Sequence, residues 1–177
     1  TGRHNAGKGI FSTPYLYNKT VFFGAYDGNV YALDSETGKR RWISFEADWV
    51  GSSPTIASEL GLLFIGLEFG LVRKRGGIIA LDIQNGKKVW SYTMPSFTHA
   101  SPLYIPEHTQ VAIGSNDGCM YLFNAKTGTL VWKYKSGDPT PQEIASGFSP
   151  FDIKDAPAYH AQYDTLYFGN INGDCIA

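Results

Sequence analysis

The sequence predicts an all-β fold, a β-propeller of four-stranded antiparallel blades, on three observations: an eleven-residue segment that returns along the chain, a fixed register of Pro, Gly and Trp, and short strand-like runs parted by tight-turn residues. The segment "ALDSETGKRRW" (32–42) comes back as "ALDIQNGKKVW" (80–90) and more loosely as "LFNAKTGTLVW" (122–132). The register series are Pro14, Pro54, Pro102 and Pro157; Gly24, Gly66, Gly114 and Gly169; and Trp42, Trp90 and Trp132. Pro to Gly is 10 residues in the first copy and 12 in the other three. Such constancy marks a repeat in which each unit stacks on the next. A two-layer β-sandwich would not need its turns and Trp in the same place each time.

In the first copy the strands read "PYLY", "TVFFGA", "NVYALD" and "RRWISF", parted by "NK", "YDG" and "SETGK". These separators are rich in the residues that make tight turns. Asp34 opens the last of them, where its carboxylate can accept backbone N–H groups. Gly38 takes the positive φ that ends it. Lys39 to Trp42 begin the outermost strand, and Trp42 is expected to be buried against the neighbouring blade. Asp82, Gly86 and Trp90 repeat these roles in the second copy, and Gly128 and Trp132 do so in the third. A catalytic reading of Asp34, Thr37 and Lys39 is set aside, because a catalytic constellation is not stamped out once per blade.

Two places break the pattern. In the second copy the turn that reads "AYDGN" in the first becomes "LEFGLVRKRGG" (67–77), six residues longer and carrying Arg73, Lys74 and Arg75. Trp to Pro is 12 residues in the first two copies but 25 after Trp132, where "KYKSGDPTPQEIASGFSPFDIKDA" (133–156) intervenes. In a propeller both kinds of connection emerge on one face, together with His99 and the Glu46–Asp48–Trp49 segment. Loops on a rigid scaffold carry binding function, so Arg73, Lys74, Arg75, His99 and Trp49 mark the candidate binding face for a protein or small ligand. The fourth copy, "PAYHAQYDTLYFG", ends at "GDCIA", ahead of a docking turn and Trp strand. The expectation is one partial propeller domain over 1–177, with blades at about 9–49, 50–97, 98–143 and 144–177 (truncated). It would be completed by the remaining blades of a longer propeller or by a second copy.

Composition narrows the function. Net charge is −1, which gives no global electrostatic case for nucleic acid or an anionic membrane. No window approaches a membrane-spanning helix, and no basic-then-apolar leader stands at the start of the sequence. Aromatic residues at 15% and 20 Gly suit β structure with many turns. Cys119 and Cys175 have no close spacing, so neither a disulfide framework nor a Cys-based zinc site is indicated. His4, His99, His108 and His160 share no metal-ligand spacing, and His160 falls near a strand end. Asp152 and Asp155 suit calcium chemically, but nothing adjacent completes a site. Nucleophile elbows, phosphate loops, dinucleotide fingerprints and haem motifs are absent.

The pattern A-x-D-x-x-T-G-K-x-x-W is matched at every fixed position by residues 32–42. It resembles the tryptophan-docking repeat of pyrroloquinoline-quinone (PQQ) dehydrogenases, the quinoprotein alcohol dehydrogenase-like family. Propellers that bind no quinone share the repeat, outer-membrane assembly lipoproteins among them. The second copy departs only by Asn85 for Thr; the third has Leu122, Asn124 and Thr129 for Ala, Asp and Lys. The resemblance implies a ring of seven or eight blades and an extracytoplasmic location, periplasmic or secreted. It leaves two functions open: a non-catalytic binding scaffold, or part of a PQQ- and calcium-dependent alcohol or sugar dehydrogenase. Enzymes of that kind often pack adjacent cysteines on the quinone, and this sequence has no such pair. No quinone or calcium ligand of the family carries over to a numbered position here.

Overall fold

The computed structural model describes residues 5–72, 74–146 and 148–177. Its strands form four separate antiparallel sheets, each a meander in chain order. The first contains β1 (Tyr15–Tyr17), β2 (Thr20–Gly24), β3 (Asn29–Asp34) and β4 (Arg40–Phe45). The second contains β5 (Thr55–Ala57), β6 (Leu62–Phe69), β7 (Arg75–Asp82) and β8 (Lys88–Met94). The third contains β9 (Leu103–Ile105), β10 (Gln110–Gly114), β11 (Cys119–Asn124) and β12 (Leu130–Lys135). After a short helix, α1 (Pro141–Ser146), the fourth has β13 (Ala158–His160), β14 (Thr165–Gly169) and β15 (Cys175–Ile176). The architecture is a segment of β-propeller.

Runs such as "LLFIG" are apolar throughout because both faces of the sheet are covered. Leu63 and Ile65 pack towards the first sheet with Phe22, Ala32 and Ile79. Phe64 points the other way, to Val111, Ile113 and Phe123 of the third sheet. The next interface joins Ala112, Met120 and Leu122 to Ile153 and Phe168. Register places the aromatic of the outer strand at the same point in each complete sheet: Trp42 opposite Ala32, Trp90 opposite Ala80, Trp132 opposite Leu122. One residue further on, each pair slips by one, so that Arg41, Val89 and Val131 are bulge residues. A bulge bends and twists the outer strand.

The turn before each Trp is built by its acid or amide. Asp34 Oδ1 accepts from the Glu36 and Thr37 amides at 3.2 and 2.9 Å. Asp82 Oδ1 accepts from Gln84 and Asn85 at 2.8 and 3.1 Å. Asn124 does the same for Lys126 and Thr127, both at 3.0 Å, so the Asp-to-Asn departure costs the third turn no bond. Gly38, Gly86 and Gly128 all sit at φ 71°. Trp42 crosses to the second sheet, donating its indole N–H to Ile83 O at 3.0 Å. Trp90 repeats the move to Ala125 O at 2.8 Å. Each ring lies against the turn glycine: a Cβ on Gly86 would stand 2.6 Å from Trp42 Cε3.

A second set of ties runs through the residue before each Pro, held extended by the ring that follows. The Thr13 amide donates to Ser53 Oγ at 2.8 Å, and the Ser53 amide to Ser101 Oγ at 3.0 Å. Ala156 holds that place before the fourth sheet and has no side-chain oxygen to accept.

Candidate functional site

The extra residues at 67–77 mostly lengthen two strands. β6 and β7 stay paired from Leu62↔Asp82 out to Phe69↔Arg75, so the insertion is a hairpin that projects beyond the sheet. The connection from the first sheet staples it down. Trp49 forms an isolated bridge with Glu68, their main chains exchanging hydrogen bonds at 3.1 Å each way. Asp48 Oδ2 accepts from the Gly70 and Leu71 amides at 2.8 and 3.0 Å. The Trp49 ring lies on Gly70 and meets Phe97 edge-on at 6.3 Å between centroids. The tip is therefore held in place while its apolar side chains face water: Leu71 is 76% exposed and Val72 fully so.

Of the five residues expected to line this face, Trp49, His99 and Lys74 come together around Phe97. His99 is 5.7 Å from the Phe97 ring, and the Lys74 ammonium lies 5.9 Å over it. Lys74 Nζ also donates to Ser146 O at 2.5 Å, tying the hairpin to the end of α1. Arg75 turns away and stacks on Phe69 at 5.0 Å. Arg73 lies outside the described residues. Two recesses flank the hairpin: one of 420 Å³ lined by Lys74, Pro95, Pro141, Ile144 and Ala145, and one of 320 Å³ lined by Asp48, Phe69, Val72 and Arg75. Glu46, from the same connection, accepts instead from Ser44 Oγ at 2.5 Å.

Beneath the face lies a mostly buried polar layer, in which Glu68, Tyr26, Asp117 and Tyr121 join His99 and Asp152. Glu68 is buried, with Oε2 3.1 Å from His99 Nδ1. Asp152 is completely buried, and burial raises its carboxyl above the usual carboxylate range, against the opposing pull of Lys154. Burial raises the Tyr26 phenol, with a smaller push from Glu68. Asp117 accepts from the Tyr121 hydroxyl, and burial with that carboxylate drives the phenol far up. Burial and Asp117 likewise lift the Cys119 thiol to about 11, which keeps it protonated and unreactive. The signal for Glu68 was in the repeat: two residues after the register Gly the four copies carry Tyr26, Glu68, Asn116 and Ile171. Phe97 was equally legible, since Trp49 precedes its Pro by the same five residues.

Among the described residues no cluster of three or more His, Cys, Asp or Glu side chains is placed to hold a metal ion. The residues here do not by themselves build the calcium site that the resemblance to quinone enzymes implies. His108 pairs instead with Asp164 at 2.7 Å and Tyr159 at 3.0 Å across the third and fourth sheets. His160 stacks on Tyr163 at 4.5 Å, at the end of β13. Both cysteines are free, Cys119 buried and Cys175 exposed. Among the described residues no helix is long and apolar enough to cross a membrane.

Comparison with known proteins places this geometry. The profile of a family described as outer membrane protein assembly factor BamB matches residues 3–101 and 26–174. The chain is 30% identical over 173 residues to the dehydrogenase subunit of alcohol dehydrogenase (quinone) of Komagataeibacter europaeus, covering 89% of this chain and 20% of that one. It is 27% identical over 156 residues to the outer membrane protein assembly factor BamB of Escherichia coli (strain K12), covering 85% and 36%. It thus spans a fifth to about a third of these relatives' lengths. In structure it is similar to BamB from Moraxella catarrhalis, with TM-score 0.74, 24% identity, and coverage of 97% of this chain and 50% of that one. Quinohemoprotein alcohol dehydrogenase ADHIIG from Pseudomonas putida HK5 superposes with TM-score 0.63 at 18% identity, covering 89% and 30%. The tight-turn repeat, the stacked four-stranded sheets and the profile match agree: the chain belongs to the PQQ-like, quinoprotein alcohol dehydrogenase-like propeller family whose matching profile is that of the assembly factor BamB.

Proposed function

We propose that this segment is a non-catalytic binding scaffold, and that its partner is a protein seated on the face built by the β6–β7 hairpin and the Pro95–Pro102 connection. The observation that carries this reading is the stapled tip. Ordering an apolar turn by two hydrogen bonds to Asp48 and a tryptophan, and then leaving Leu71 and Val72 in water, costs free energy unless another surface covers them. Lys74 and Arg75 beside the tip supply the polar rim that protein interfaces carry around an apolar centre. The Trp42 and Trp90 contacts are read as fasteners between blades at about 9–49, 50–97 and 98–143, with 144–177 as the fourth. Remaining blades of a longer propeller, or a second copy, complete the ring, and the protein works outside the cytoplasm as its relatives' names suggest.

The second reading, part of a PQQ- and calcium-dependent alcohol or sugar dehydrogenase, is favoured by the 30% identity to a quinone alcohol dehydrogenase subunit. It finds no completed metal donor set among the described residues. To test the scaffold reading, a photoreactive amino acid is placed at position 72 of the full-length protein in its native cell. A discrete adduct with one protein, weakened by Leu71→Ser, is expected. Absence of any protein adduct at 72 would overturn the assigned face.

A further inference from the structure

The two described cations beside the hairpin tip stand on opposite flanks of it. Arg75 lines the 320 Å³ recess with Asp48, Phe69 and Val72; Lys74 lines the 420 Å³ recess with Pro95, Pro141, Ile144 and Ala145. Each is laid over an aromatic ring, Arg75 over Phe69 at 5.0 Å and Lys74 over Phe97 at 5.9 Å. Both are exposed, and no ion pair among the described residues involves either. Neither belongs to the repeat. The corresponding turns of the other copies, "YDG" (26–28), "NDG" (116–118) and "ING" (171–173), contain no basic residue.

The flanks differ in chemistry. Lys74 donates to Ser146 O at 2.5 Å and so ties the hairpin to α1, and the recess beside it is walled by two prolines and aliphatic side chains. That recess suits an apolar side chain. On the other flank, a guanidinium held over a ring uses none of its N–H donors in the contact, and they remain as a planar fork that matches a carboxylate. The nearby acids do not fill it. Asp48 Oδ2 is held by the Gly70 and Leu71 amides, and Glu143 accepts from the Thr140 amide at 2.6 Å. Between the flanks, Leu71 and Val72 form an exposed apolar centre that is already ordered, which lowers the entropy a partner must overcome on binding.

We propose that the partner meets this ridge with an acidic segment in which a carboxylate stands close in sequence to a bulky apolar residue. The carboxylate seats on Arg75, the apolar residue enters the recess beside Lys74, and Leu71 and Val72 are covered between them. This inference rests on the reading of the face as a protein-binding one. Arg73 adds a third positive charge to the sequence here, and complementary charge of this kind selects and orients a partner.

The test uses the full-length protein in its native cell, with the photoreactive residue at position 72 as the probe. The partner peptide carrying the adduct is mapped by mass spectrometry and is expected to hold Asp or Glu close to a bulky apolar residue. Adduct yield is then compared in Arg75→Glu and Arg75→Lys, with circular dichroism and melting temperature to establish that each folds. Yield is expected to fall about tenfold or more in Arg75→Glu, and by less in Arg75→Lys, which keeps the charge without the fork. A protein adduct whose yield neither substitution lowers, or whose peptide holds no acid, would overturn the acidic segment and leave the protein-binding face standing. Adducts with lipid alone, or none at all, would overturn the face and this inference with it. If Arg75→Glu fails to fold, the mapped peptide and the Arg75→Lys yield decide.

Discussion

Trp42 and Trp132 occupy the same place in the repeat and meet different surroundings. Trp42 is 8% exposed, bonded to Ile83 O and pressed on Gly86; Trp132 is 38% exposed, with no acceptor for its indole among the described residues. Trp42→Ala should therefore cost about 3–5 kcal/mol and Trp132→Ala markedly less, as read by chemical denaturation of the full chain. Equal losses would contradict the inter-sheet role given to Trp42. Gly86→Ala puts a Cβ at φ 71° and into the Trp42 ring, and should cost about 1–2 kcal/mol or more by the same measurement. Asp34 titrates in the opposite sense to Asp152. Its pairing with Arg41, followed by its bonds to Thr37 and Glu36, holds the carboxyl well below the usual range. A depressed folded value means its stabilisation is present above about pH 4 and lost as pH falls below that. The melting temperature of the wild type should thus fall more steeply between pH 5 and 2.5 than that of Asp34→Asn; matching slopes would rule this out. These turn roles were legible because each is a local consequence of Asp or Asn followed by Gly. The bulges at Arg41, Val89 and Val131 were not, since a bulge depends on how two distant strands share their register.

Among the elements, the β6–β7 hairpin shows where sequence reading stops. Its extra length and basic residues stood out against the repeat, but a longer loop and a longer pair of strands have the same residue count. The structure puts the length into strands because Glu68 pairs with Gly76 on one side and with Trp49 on the other. That second pairing reaches back to residues that nothing local connects to position 68. If Asp48 is the staple, Asp48→Ala should raise hydrogen exchange at the Gly70 and Leu71 amides about tenfold or more, while exchange in the paired part of β6 changes little. Unchanged exchange at both amides would show that the tip is held by Trp49 alone. A related limit applies to the insertion at 133–156. It was visible as an interval, but only the tertiary structure shows Ser146 accepting from Lys74 and Asp152 buried beneath the face.

For the whole molecule, the repeat makes the fold legible and the function obscure, for the same physical reason. Docking turns, register glycines and both-faced apolar strands are needed by every propeller of this kind, whether or not it turns over a substrate. The family accordingly includes a quinone alcohol dehydrogenase subunit and an outer-membrane assembly factor at similar identity, 30% and 27%. What separates them must be carried by side chains that depart from the repeat; in this segment Trp49, Lys74 and His99 meet around Phe97 beside the hairpin tip. We propose that this face binds a protein and that no quinone chemistry is run here. The most direct test is to incubate the full-length protein with PQQ and Ca²⁺, remove free quinone, and follow reduction of an artificial dye with alcohols and aldoses. A binding scaffold is expected to retain no quinone and to show no substrate-dependent reduction. Stoichiometric retention of PQQ with turnover of any of these substrates would contradict it.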